Sequence, residues 1–279
     1  LLLDPRNITI NQNFTPPNQG DTELPDILIG DFGDTDITVS ADVLESITGK
    51  VILQATENIR VVDGISLNFV EVQGEGDSSI TFTADADNNN SGNFLMDQTQ
   101  SITTAGRNIT ISGANVTVGI IDARGGDGGN INLNALGNNG VINVKTLEKT
   151  TPLLTNGEGE INLTASGNGG QIIINNENSD FATTSLATER GNITLTAGNE
   201  SAQQGGVIQV DNGIILVDTP ILRTVTLNAL GNGSQIEAEL IAAAGGTINL
   251  NVGSKIVVPV IAAAGGTINL NVGSETATE

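Results

Sequence analysis

The chain has 279 residues, 38% of them apolar and 2% aromatic, with no Trp, Tyr, His or Cys and a net charge of −22. Disulfide, thiol and cysteine–zinc chemistry are excluded. So is a phosphate-binding surface, because nucleic-acid partners call for clustered basic residues and the 10 Lys and Arg are scattered singly. The apolar residues are too many and too periodic for a disordered chain, and with so few rings the core must be thin and built from Ile, Leu, Val and Ala.

In chain order, residues 1–48 read as an irregular lead-in or first coils. "LLLDP" at the start is too short for a signal h-region or a membrane helix, so no membrane span is expected. The chain has the look of an internal piece of a longer polypeptide. "RNITIN" (Arg6–Asn11) and "TDITVSA" (Thr35–Ala41) are weak copies of a strand that recurs downstream. Between them, a proline-bearing stretch suggests a cover over one end. "ADVLESITG" (Ala41–Gly49) is the best helical stretch and is short.

Residues 49–274 repeat one strand. It runs through "GKVILQA" (Gly49–Ala55), "SSITFTA" (Ser78–Ala84), "RNITISG" (Arg107–Gly113), "GNINLNA" (Gly129–Ala135) and "GEINLTA" (Gly159–Ala165). It continues through "GNITLTA" (Gly191–Ala197) and "RTVTLNA" (Arg223–Ala229). It ends in "IAAAGGTINLNVGS", which occurs at Ile241–Ser254 and again, letter for letter, at Ile261–Ser274. Alternation with period two gives the strand an apolar face, Ile109/Ile111 and its equivalents, and a polar face of Asn and Thr. From Ile109 onward the copies step by 22, 30, 32, 32, 23 and 20 residues. Further short strands lie between them: "NVTVG", "GVINVK", "QIIINN", "GVIQV" and "KIVVPV". Glycine-rich corners such as "RGGDGG" and "SGNGG" join them.

Such a unit cannot bury its apolar face alone, and stacking does so. The spacing therefore predicts an all-β solenoid, a parallel β-helix of about ten coils rising about 4.8 Å each. A sandwich would pair neighbouring strands through hairpin turns, and a propeller would need four strands per blade. The tail 275–279 falls outside the pattern.

The segments "LLLDPRNITI", "SITGKVILQATENIRV", "ITFTADADNNNSGNF" and "GRNITISGANVTVGIIDARGGDGGNINLNA", in that order, resemble large exoproteins of the filamentous haemagglutinin type, most of all their cyanobacterial members. The resemblance implies a right-handed β-helix. It also implies two-partner secretion through an outer-membrane transporter, an extracellular cell-surface location, and a role in adhesion or aggregation with surface or matrix polysaccharide or protein as partner. The secretion-recognition domain of that family precedes such a segment and is not represented here.

The most distinctive polar run is "DADNNNSGNF". Asp85, Asp87, Asn89 and Ser91 alternate, Asp97 follows, and oxygen donors so spaced suit calcium, although the glycine position and closing Glu of an EF-hand are missing. The structural alternative is a polar turn closed by Asx hydrogen bonds. "RGGDGGN" (Arg124–Asn130) reads as a corner needing positive φ. "GDFGDTD" (Gly30–Asp36) holds three carboxylates, the arrangement a glycosidase would use, yet no His, Tyr or Trp accompanies them, so no enzyme is expected. The Asn/Thr ladder reads as coil-to-coil hydrogen bonding or, alternatively, as an ice-ordering face. Self-assembly through the solenoid's open ends is a further expectation, since uncapped ends expose unpaired edges.

Overall fold

The computed structural model describes residues 5–12, 18–70, 78–146, 151–176, 183–217 and 223–273. Residues 1–4 and the tail 275–279 lie outside them. The chain forms an all-β parallel solenoid with three sheet faces.

One face is a ten-stranded sheet, one strand per coil, running from Asp26–Ile27 through Val51–Gln54 and Ile80–Thr83 up to Thr247–Val252 and Thr267–Val272. Its register pairs like with like. Ile109 lies beside Ile131, then Ile161, Ile193, Val225, Ile248 and Ile268. Two residues on, Ile111, Leu133, Leu163, Leu195, Leu227, Leu250 and Leu270 form a second row. From Ile109 to Leu250 these side chains are fully buried, each burial being worth about 1.5–3 kcal/mol relative to exposure. A slip of one residue would turn every such side chain outward, so the alternation itself sets the register.

The other two faces belong to one sixteen-stranded sheet. They join where the strand Val207–Val217 passes from one to the other. Its first half pairs with Gln171–Asn176 and its second with Thr183–Thr188. "NVTVG", "GVINVK" and "QIIINN" form the strands Asn115–Val118, Val141–Thr146 and Gln171–Asn176 of this sheet. Pro259 divides "KIVVPV" into the short strands Lys255–Val257 and Val260–Ala262, because proline has no N–H to give a ladder. "IEAELIAA" is extended within Gln235–Ala243 despite its helix-forming residues, since Ile236, Ala238 and Ile241 then reach the core.

The two N-terminal copies of the strand are a correction. Asn7–Asn11 and Asp36–Ser40 carry the motif, yet they belong to the sixteen-stranded sheet and pair with each other. Asp36–Ser40 lies outermost, beneath the chain's own first strand. Sequence period alone does not say which face a copy occupies, since all three faces are built from the same alternation.

This fold-back closes the N-terminal end. A short turn, Gln19–Thr22, lies against Asp36–Ser40. Asp21 accepts from Ser40 N–H at 2.6 Å and from its hydroxyl at 2.6 Å, and Asn18 donates to Ser40 Oγ at 2.8 Å. The helix Ala41–Glu45 follows and buries Leu44. The apolar residues Ile8, Ile10, Ile27, Ile37, Val39 and Leu44 are all at most 2% exposed. At the other end of the described residues, Ile268, Leu270 and Val272 of the last strand are 42%, 57% and 52% exposed.

Candidate functional site

The run from Asp85 forms the corner between the strands Ile80–Thr83 and Asn93–Leu95. Asp85, Asn88 and Asn90 adopt φ of 54°, 57° and 70°, which Asp and Asn tolerate better than other side-chain-bearing residues. Gly92 is required by space: a Cβ there would stand 2.2 Å from the Glu57 carbonyl oxygen. Asp85 is 5% exposed, and both its oxygens accept the Asn90 N–H at 3.1 Å. Ser91 N–H adds a longer contact at 3.4 Å. Asp87 accepts from Asn89 Nδ2 at 2.8 Å, and the Ser91 hydroxyl donates to Asn89 Oδ1. Asx turns therefore close the loop, with the Asp85 oxygens aimed at amides.

Asp97 stands in the next corner, after Asn93–Leu95, and no hydrogen bond joins it to that loop. Its carboxylate accepts from Thr99 N–H at 2.9 Å and Thr99 Oγ1 at 2.8 Å, and those two bonds, the amide first, hold its pKa below the usual range. Beside it Gln100, 1% exposed, donates to the carbonyls of Val62 at 2.5 Å and Ile65 at 2.6 Å, tying its corner to the coil below. Among the described residues no three His, Cys, Asp or Glu side chains converge into a group that could hold a metal.

The carboxylates of "GDFGDTD" are used separately. Asp31 caps the Leu28 N–H at 2.7 Å. Asp36 takes a forked pair of bonds from Arg6 at 3.0 and 3.1 Å and one from Asn7 at 2.8 Å. The bond from Arg6, then that from Asn7, lowers the pKa of Asp36. In "RGGDGGN", Gly125, Gly126 and Gly128 have φ of 138°, 49° and 85°, the corner role expected of them.

Sequence reasoning missed the corner column that begins each coil. In register this column reads Gly49, Ser78, Arg107, Gly129, Gly159, Gly191, Arg223, Gly246 and Gly266. A Cβ on Gly191 would stand 1.8 Å from the Gly159 carbonyl oxygen, so at that level only glycine fits. Ser78, Arg107 and Arg223 depart from glycine, and Arg107 is the most deeply buried of the three. It is 3% exposed and turns its guanidinium down the column, donating to Ser78 O at 2.6 Å, Gly49 O at 2.7 Å and Ile47 O at 2.8 Å. The Phe69 ring lies 5.1 Å from its central carbon. Burial lowers its pKa, yet guanidinium stays protonated. Arg223 reaches Glu158 at 2.6 Å. Aligning the column against its glycines would have singled out both arginines.

One surface stands out chemically. The outward side of the ten-stranded sheet carries Thr81, Thr110, Asn132, Asn162, Thr194, Thr226, Asn249 and Asn269 in one row. The adjacent row runs Thr83, Ser112, Asn134, Thr164, Thr196, Asn228, Asn251 and Asn271. From Thr81 onward neither row contains a charge, on a chain of net charge −22; below Thr81 the first row continues through Ile52 to Asp26. Amides link some rungs, as from Asn162 to Asn132 at 3.2 Å and from Asn251 to Asn228 at 2.7 Å. An amide so used keeps a second N–H free to face outward. At the row's edge, Asn108 Oδ1 accepts Asn130 N–H and Asn130 Oδ1 accepts Glu160 N–H, each at 2.8 Å.

No helix among the described residues is long and apolar enough to cross a membrane. Compared with protein-family models, curated proteins and solved structures, the chain matches none.

Proposed function

We propose that this chain is a rigid structural and adhesive segment of a secreted cell-surface exoprotein of the filamentous haemagglutinin type, exported through an outer-membrane two-partner transporter. The pair of uncharged rows that runs from Thr81 and Thr83 along the outer face of the ten-stranded sheet is the observation that carries the adhesive part. From Thr81 onward these two rows offer amides and hydroxyls at every coil, about 4.8 Å apart, with no charge within them to repel or to be desolvated. A neutral polysaccharide lying along the rod suits it, because sugar hydroxyls accept and donate hydrogen bonds at short regular intervals. The resemblance of the sequence to that family supports export and surface location. The separate engagement of Asp31 and Asp36 speaks against a glycosidase pair, which needs two carboxyl groups facing one bond. Calcium at Asp85–Ser91 enters this proposal only by displacing the Asn90 amide from Asp85.

Binding of the labelled chain to intact cells and to a panel of neutral and acidic glycans tests the reading. Saturable binding to a neutral glycan is expected. Asn132→Asp with Asn162→Asp, which puts charge on the face without changing side-chain size, should weaken it at least about tenfold, or 1.4 kcal/mol. Binding only to acidic glycans, or binding unaffected by the double variant, overturns it.

A further inference from the structure

We infer that Asn232–Gly233 is a modification site at which the folded chain converts asparagine to isoaspartate and aspartate. The Gly233 amide nitrogen attacks the Asn232 side-chain carboxamide carbon, a five-membered ring closes, and ammonia leaves. Water then opens the ring at either carbonyl. Opening at one returns an aspartate, and opening at the other leaves the main chain running through the former side chain.

The sequence holds the step Asn-Gly at Asn139, Asn156, Asn168, Asn212 and Asn232. Glycine suits the reaction because no Cβ shields the attacking nitrogen. The stacked coils restrain the other four. Gly140 N–H donates to Gly137 O at 2.9 Å, Gly157 N–H to Glu189 Oε2 at 3.0 Å and Gly169 N–H to Gln204 O at 3.0 Å. Two of the carboxamides are also engaged: Asn156 Oδ1 accepts Gly125 N–H at 3.0 Å and Asn168 Oδ1 accepts Gln204 N–H at 3.1 Å. Asn212–Gly213 lies inside the strand Val207–Val217, where ring closure would break the ladder.

At Asn232 both reacting groups are free, and the coil above explains why. The five residues Leu230–Ser234 join Ala229 to Gln235. In the next coil their register partners Val252 and Lys255 are joined by Gly253 and Ser254 alone. That shorter corner rests on Ser234, with Gly253 N–H donating to Ser234 Oγ at 2.7 Å and Lys255 N–H to Ser234 O at 3.1 Å. Asn232 and Gly233 project past it and are exposed. A Cβ on Gly233 would meet nothing within 4 Å. Among the described residues neither the Gly233 N–H nor the Asn232 carboxamide has a hydrogen-bond partner. The aligned Gly169 N–H, one long corner lower, is the one that reaches Gln204.

Incubating the folded chain in mildly alkaline buffer and sequencing its fragments by mass spectrometry tests the inference. Conversion at Asn232 is expected to run at least about tenfold faster than at Asn139, Asn156 or Asn168, each of which must first break a hydrogen bond. An isoaspartate-specific carboxyl methyltransferase supplied with a labelled methyl donor should mark the same fragment. In denaturant the five steps should level. Gly233→Asn should suppress conversion at Asn232 while keeping the parent's melting, because Asn139 holds φ of 58° at the aligned position and Gly233 has 73°. Faster conversion at another Asn-Gly step of the folded chain overturns the inference. So does an unchanged Asn232 over a period in which the denatured chain converts, or an undiminished rate in Gly233→Asn.

Discussion

At the scale of single residues, Arg107 carries an unusual share of stability. Its guanidinium serves three backbone carbonyls, those of Ile47, Gly49 and Ser78, and a hydrogen bond to a charged donor is worth about 1.5–3 kcal/mol. Arg107→Ala is expected to cost about 3–5 kcal/mol in chemical denaturation, in the range reserved for broken buried networks. Lysine lacks the planar fork that reaches three acceptors, so Arg107→Lys should recover only part. A loss below about 1 kcal/mol in the alanine variant would show that water replaces the side chain there. Asp85 is the second such residue. Asp85→Ala frees the amides of Asn90 and Ser91 and should lower the melting temperature equally with and without calcium. A calcium-dependent rise in the parent that this variant loses would mean that the cation, rather than the amide, is the partner of Asp85.

At the scale of the coil, glycine and apolar positions make separable predictions. Gly191→Ala should destabilise strongly, because its Cβ meets the Gly159 carbonyl at 1.8 Å. Gly49→Ala, in the same column but with nothing within 4 Å, should be neutral or stabilising by up to about 1 kcal/mol through the unfolded chain. Equal effects in thermal denaturation would refute the close-packed corner. Leu163→Asp places a carboxylate in the fully buried row and should break the coils around it. A parent-like melt would reverse the assignment of inside and outside.

At the scale of the whole molecule, charge sets the response to pH. Asp36, Asp97 and Asp122 have lowered pKa values. For Asp122 burial works upward, but the side-chain and backbone bonds from Arg124 outweigh it. A carboxylate with a depressed folded pKa contributes stability above its unfolded pKa and loses it as pH falls through the folded value. Glu45 runs the other way. Its burial raises the pKa, against the opposing bond from Asn68 N–H, so its contribution is lost as pH rises through the folded value. Neutralising part of the net −22 also relieves self-repulsion. Stability should therefore rise from neutral pH to a maximum near pH 4–5, about where free carboxylates titrate, and fall below it. A melting temperature that declines steadily from pH 7 downward would contradict this balance.

The sequence by itself determined the coil. The alternation in "GNINLNA" or "GEINLTA" fixes which side chains turn inward, and the exact duplicate of "TINLNV" fixes the register of the last two coils, because a one-residue slip would expose every Ile and Leu. The neutral outer rows were legible in the same letters as an Asn/Thr ladder. Tertiary structure decided what depends on neighbours distant along the chain. "RNITIN" and "TDITVSA" share the motif but lie on another face, because a fold-back, rather than a further coil, covers the first end. Asp97 was read with Asp85 by proximity in sequence, while the turn after Leu95 points it at Thr99. Arg107 looked like one of ten scattered cations, and only the stacking of its corner over Ser78 and Gly49 buries it. Alternation is a local property that a strand carries into any sheet. Which sheet and which neighbour follow from how the coils close on one another.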